Sequence, residues 1–85
     1  MKKDADKYEN MTNLNQAVFL YAKDQPIVGI NPLDGEQKEF AFLKTDMIEE
    51  LIWLYRYGER DDERLLIEVH KYEQARRELL DRLND

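Results

Sequence analysis

The chain has 85 residues, no cysteine, and 19 acidic against 13 basic residues, which gives a formal net charge of −6. The lack of cysteine excludes disulfides, thiolate zinc sites and cysteine nucleophiles. The negative charge disfavours general binding to nucleic acid or to anionic membranes, because both need a basic surface.

The N-terminal stretch predicts a tail rather than a folded element. Residues 1–11 alternate charged side chains with few apolar ones, which is typical of a flexible, solvated segment. We therefore expect a single domain over residues 12–85. No apolar run follows the first lysines, and no segment approaches the roughly 20 apolar residues that span a bilayer. We expect a cytoplasmic protein without membrane contact.

The first predicted helix covers residues 13–23. Its apolar residues recur at helical spacing, at Leu14, Ala17, Val18 and Tyr21. Asn13 is a suitable N-cap, and Pro26 prevents the helix from continuing.

A β-hairpin is predicted next. The β-branched run 27–30 is too short for a helix and indicates a strand. The pair Asp34-Gly35 is a strong turn signal, because glycine accepts positive φ. In the alternating segment 38–43, Phe40 and Phe42 fall on one face, so we expect a second strand antiparallel to the first.

Two further helices complete the predicted fold. Thr45 or Asp46 caps the first of them, and Gly58 is a suitable residue just past its end. The last helix is predicted from about Glu63 to Leu83. A two-stranded hairpin is not stable alone, so the helices must cover its phenylalanine face. The prediction is an α+β, two-layer, small single domain with the order helix–β-hairpin–helix–helix.

Several short motifs between Leu14 and Leu83 carry a family resemblance. They are Leu-x-x-Ala-x-x-Leu at Leu14, Ala17 and Leu20; Ile-x-Gly-Ile at Ile27, Gly29 and Ile30; Asp34-Gly35; Phe-x-Phe at Phe40 and Phe42; and Tyr-x-x-Gly at Tyr55 and Gly58. In these motifs the chain resembles a family of small domain-of-unknown-function proteins from bacterial phages and integrative mobile elements. The resemblance implies the fold and supplies no catalytic residues.

No residue pattern indicates an enzyme. His70 is the single histidine, and a Glu-x-x-His pair is absent because Ile67 holds the position three before it. The chain has no serine, its three glycines are far apart, and its adjacent carboxylates suit helix starts better than acid–base catalysis. We expect no enzymatic activity, no metal and no cofactor.

The candidate partner-binding residues are Trp53, Arg56, Tyr57 and Arg60. The two aromatic residues lie four apart and off the centre of the predicted apolar helix face, beside the arginines. Aromatics with arginine are typical of protein interfaces, and they can also stack unpaired bases. A third interpretation is that the last helix simply covers them.

The leading functional prediction is a small acidic non-enzymatic module that binds a protein or itself, and that serves a phage or mobile element. A homodimer through the C-terminal helix is one form of this prediction, with Arg76 forming a salt bridge across the seam. The first alternative is a nucleic-acid mimic that inhibits a host or defence protein; it requires acidic residues clustered on one face. The second is an RNA-contacting module that uses the four candidate residues.

Overall fold

The computed structural model describes residues 7–33, residue 35 and residues 37–84. Within them the chain is α+β, with three α-helices and a three-stranded antiparallel sheet. The elements in chain order are β1 (Tyr8–Met11), α1 (Leu14–Ala22), β2 (Ile27–Pro32), β3 (Lys38–Leu43), α2 (Asp46–Tyr57), a 3₁₀ turn (Glu63–Leu65) and α3 (Val69–Leu83).

Strand β1 corrects the predicted tail for residues 8–11. It pairs with β3, with Tyr8 opposite Leu43 and Met11 opposite Phe40, so the sheet order is β1-β3-β2. A strand therefore precedes the first helix, which the predicted helix–β-hairpin–helix–helix order lacks. The sequence does not signal this strand because Met11 is its only buried residue. Residues 1–6 of the predicted tail lie outside the described residues.

The hairpin follows the sequence prediction closely. Strands β2 and β3 pair antiparallel, and Val28 is the extra residue of a bulge between Ile27 and Gly29. Gly35 adopts φ 66°, the left-handed conformation that the turn signal predicts. The other residue of that signal, Asp34, lies outside the described residues.

The core lies between the helices and one face of the sheet. Phe40 and Phe42 are buried there, as their alternation predicts, and pack in one cluster with residues of all three helices. Helix α1 is the central element, because six of its nine residues are buried and it contacts both α2 and α3. A helix that is apolar on nearly all sides fits this position between layers. On the opposite face of the sheet, Tyr8 and Leu43 remain exposed.

Helix α2 begins at a polar junction with the end of α1. The Thr45 hydroxyl accepts from the Ile48 amide at 3.0 Å, so Thr45 is the N-cap. The same hydroxyl donates to Oε1 of the buried Gln25 at 3.0 Å, and Gln25 Nε2 donates to the Lys23 carbonyl at 3.3 Å. These bonds fix the start of α2 against the α1–β2 connection.

Gly58 ends α2 without the left-handed conformation that glycine often adopts after a helix. Its φ of −70° is an ordinary value, so left-handed freedom is not required. Its amide donates to the Leu54 carbonyl at 2.7 Å, and a Cβ at this position would lie 2.6 Å from that oxygen. Close approach of the backbone therefore requires glycine here.

The last predicted helix is shorter than expected. A 3₁₀ turn over Glu63–Leu65 is followed by extended residues, and α3 begins only at Val69, with Glu68 as its N-cap. The Glu68 carboxylate accepts from the His70 and Lys71 amides, both at 3.2 Å. The buried residues of α3 are Ala75 and Leu79, whereas Arg76 is exposed and lies outside that line.

Candidate protein-binding groove

Trp53 and Tyr57 lie on the solvent-facing side of α2. Their side chains are 58% and 68% exposed, while Ile48, Leu51 and Leu54 form the buried side of the helix. The interpretation that α3 covers the two aromatics is therefore wrong. The Trp53 and Tyr57 rings contact each other at a centroid distance of 5.9 Å and a tilt of 54°. They form one exposed aromatic surface rather than two isolated side chains.

This surface borders a groove between α2 and the N-terminal strand, which we call the β1–α2 groove. It has a volume of about 370 Å³. Its walls are formed by Glu9, Lys44, Glu49, Ile52, Trp53, Arg56 and Tyr57.

The structure brings three of the four predicted residues together. Trp53, Arg56 and Tyr57 line the groove, whereas Arg60 lies in the turn after α2 and does not. Glu49 and Ile52 were missed, although their helical spacing to Trp53 and Arg56 carries that signal. Nothing in the sequence indicated Glu9, because its position in the groove depends on strand β1, which was not predicted.

The charges of the groove are only partly compensated. Lys44 Nζ lies 3.8 Å from a carboxylate oxygen of Glu49, and both side chains are solvent-accessible, so this pair contributes little stability. Among the described residues, neither Glu9 nor Arg56 has an ion-pair partner. The groove thus offers one carboxylate on β1 and one guanidinium on α2 to a ligand.

A second groove on the other side of α2 is almost wholly apolar. It lies between α1, α2 and the start of α3, has a volume of about 410 Å³, and was not predicted from the sequence. Phe19 and Tyr55 meet at its base with ring centroids 5.3 Å apart, and partial burial raises the pKa of Tyr55 above its ordinary value. Its walls are formed by Asn15, Phe19, Tyr55, Leu65, Leu66, Ile67, Val69, Tyr72 and Glu73.

A polar contact joins α1 to α3. The Tyr21 hydroxyl donates to Oε1 of Glu78 at 2.7 Å, and Gln74 Nε2 donates to Oε2 at 3.1 Å. The bond to Glu78 raises the pKa of Tyr21, and the bond from Tyr21 lowers the pKa of Glu78. Tyr21 was predicted only as an apolar helix residue, so this contact was missed.

The structure places His70 at the surface. Its side chain is 88% exposed, and Nδ1 lies 2.9 Å from Oε2 of Glu68. In the described part of the chain, no group of three histidine or carboxylate residues is arranged to hold a metal ion. None of the described helices has the length and apolar character needed to span a membrane.

Several ion pairs lie on the described surface. Arg64 bridges Glu50 at 2.8 Å and Asp62 at 2.9 Å, and its guanidinium holds the pKa of the Asp62 carboxyl below its usual value. Lys71 pairs with Asp24 at 3.2 Å. These ion pairs involve only some of the charged residues, so the nucleic-acid mimic stays a prediction.

No family model matches the chain, and no curated protein or solved structure matches it. The resemblance to small proteins of phages and mobile elements therefore stays a prediction.

Proposed function

We propose that this chain is a non-enzymatic module that binds a protein partner through the β1–α2 groove. The main observation is the exposed Trp53–Tyr57 pair, which lies beside the groove. Arg56 lies next to this pair and has no ion-pair partner among the described residues. Tryptophan, tyrosine and arginine are the residues most enriched among the energetic anchors of protein interfaces.

The groove suits a protein better than RNA. Glu9 and Glu49 lie in the same groove as Lys44 and Arg56, so the groove has no excess of positive charge, and the whole chain carries a charge of −6. Phosphate attraction supplies most of the affinity in nonspecific nucleic-acid binding, and it needs a basic surface.

Capture of partners from a lysate of the native host tests the proposal. The immobilised chain is compared with the variants Trp53→Ala and Met47→Ala. Met47 is a matched control, because it lies on the same helix and is 55% exposed but does not line the groove. We expect at least one protein to be retained by the unmodified chain and by Met47→Ala, and to be lost with Trp53→Ala.

Two results would contradict this function. One is a set of captured proteins that is the same for all three baits. The other is a gel shift of single-stranded RNA at low salt that Trp53→Ala abolishes, which would favour the RNA-contacting alternative.

A further inference from the structure

Two hydrogen bonds at the end of β3, from Leu43 and from Lys44 just after it, show which amides face each neighbouring strand. The Lys44 amide donates to the Lys7 carbonyl at 2.8 Å, on the β1 side. The Leu43 amide donates to the Pro26 carbonyl at 3.1 Å, on the β2 side. In an antiparallel pair of strands, hydrogen-bonded residue pairs alternate with non-hydrogen-bonded ones. The bond between Lys44 and Lys7 therefore determines which residue pairs of β1 and β3 are hydrogen-bonded.

Within the described residues, the outer edge of β1 therefore carries backbone groups without a partner strand. Glu9, opposite Phe42, is in a hydrogen-bonded pair, so its N–H and C=O face β3. Tyr8 and Asn10 are in the non-hydrogen-bonded pairs, and their N–H and C=O groups point away from the sheet. Both residues are exposed, and no described strand lies beyond them.

The other edge of the sheet, formed by β2, is less suited to pairing with a further strand. Strand β2 carries a bulge at Val28 and ends in Pro32, which has no N–H to donate. Bulges and prolines are the usual means by which proteins prevent pairing at a sheet edge. The β1 edge has neither of these features, and it is only four residues long.

The open edge and the β1–α2 groove are continuous. Side chains alternate along β1, so Glu9 faces the groove while Tyr8 and Asn10 face the opposite side of the sheet. A strand added at this edge would place its residue opposite Glu9 on the groove side, within reach of α2. Backbone bonds and side-chain recognition would then act on the same segment.

On these grounds we infer that the partner docks as an extended segment on β1, with a lysine or arginine opposite Glu9. This inference rests on the proposed function and names its mode of recognition. Cross-strand pairs of opposite charge stabilise a sheet, and Glu9 has no ion-pair partner among the described residues. The same groove presents the rings of Trp53 and Tyr57, which can attract a cation.

A second copy of the chain fits this edge less well. Symmetric pairing centred on Glu9 places two carboxylates opposite each other, and like charges in that position are destabilising. Each copy also carries a charge of −6, so two copies repel at long range, whereas a basic segment is attracted.

Selection from a random peptide display library against the immobilised full chain tests the inference. We expect enriched sequences with alternating side chains and a basic residue at one fixed position. The best peptide is then synthesised and its affinity measured for the unmodified chain, Asn10→Pro, Glu9→Gln, Trp53→Ala and the control Met47→Ala. Asn10→Pro removes an outward N–H and no bond to β3, so we expect a loss of about tenfold or more.

Methylation of the peptide's own backbone nitrogens supplies a second measurement, which holds even where Asn10→Pro does not fold. Strand addition predicts that methylating alternate amides abolishes binding while methylating those between them has little effect. Glu9→Gln is expected to reduce the preference for the basic residue.

The outcomes separate this inference from the function on which it rests. Binding that is lost with Trp53→Ala but is insensitive to Asn10→Pro and to peptide methylation overturns strand addition and leaves the proposed function standing. Failure to enrich any peptide, although a protein is captured in a Trp53-dependent way, likewise overturns strand addition alone; failure of both experiments overturns the proposed function as well. A dimer in sedimentation that Asn10→Pro dissociates would show that the edge is occupied by a second copy, and would overturn the inference.

Discussion

Helix α2 makes two aromatic contacts, one with the buried Phe19 of α1 and one between exposed side chains on its outer side. Tyr55 packs against Phe19 of α1, which is 5% exposed, whereas Trp53 and Tyr57 pack against each other on the outer side. The centroid distances are similar, at 5.3 and 5.9 Å. The inner contact joins two helices and stabilises the fold. The outer contact joins residues of one helix and therefore contributes little to holding the fold together. Its exposure is the basis of the proposed binding role.

The largest expected effect is the loss of the inner contact. Phe19→Ala removes a buried ring against Tyr55 and should lower the free energy of unfolding by about 3–5 kcal/mol. Since native proteins are stable by only about 5–15 kcal/mol, this loss is a large fraction of the total stability. Urea denaturation followed by circular dichroism measures this loss. A decrease below about 1 kcal/mol would break the comparison, because the inner contact would then be no more structural than the outer one.

The end of α2 should give the next largest effect. Gly58→Ala places a Cβ 2.6 Å from the Leu54 carbonyl oxygen, so the last turn of the helix must shift, at a cost of about 1–3 kcal/mol. Gly29→Ala is the matched control, because its Cβ meets only a side-chain oxygen at 3.9 Å and should cause no such loss. Thermal melts of both variants measure the difference. Equal melting temperatures would contradict the close approach at Gly58.

A smaller effect is expected at the polar contact between α1 and α3, and it depends on pH. The Glu78 pKa is lowered in the folded state, chiefly by the Tyr21 hydroxyl, so this carboxylate stabilises the fold above its ordinary pKa of 4.5. The stabilisation is lost as the pH falls through the folded-state value. Tyr21→Phe should therefore reduce the stability less at pH 3 than at pH 7, which urea titrations at the two pH values measure. An equal loss at both would show that the bond does not favour the ionised form.

The smallest expected effect on stability is at the outer pair. Trp53→Ala should change the free energy of unfolding by no more than about 0.5 kcal/mol, because most of the side chain is already in water. The same variant should abolish partner binding. Loss of stability comparable with that of Phe19→Ala would show that the outer pair belongs to the core after all.

The sequence predicted those elements that carry their own local signals. Asn13 caps α1, Phe40 and Phe42 face the core, and the Asp34-Gly35 signal predicted the positive φ of Gly35. In each case the residue type and its immediate neighbours determine the conformation.

Elements held by distant contacts were not predictable in this way. Strand β1 exists because β3 pairs with it, and its own four residues show no apolar alternation. The break before Val69 likewise interrupts a helical pattern that the sequence continues without a proline or glycine. The candidate site was found only where it lies on one helix, at Trp53, Arg56 and Tyr57. Its β1 wall was missed together with the strand.

The amides along β3 face β1 and β2 alternately, so hydrogen exchange at neighbouring amides reports on the detachment of two different strands. Pairing of β1 with β3 closes a long loop in the sequence, whereas β2 and β3 are joined by a short turn, so β1 should detach first and most often. The amides of Phe40 and Phe42 face β1, while that of Leu43 faces β2. Neighbouring residues of one strand therefore exchange their amide hydrogens through two different opening events. A partner that holds β1 in place will slow exchange at the first two and leave the third nearly unchanged.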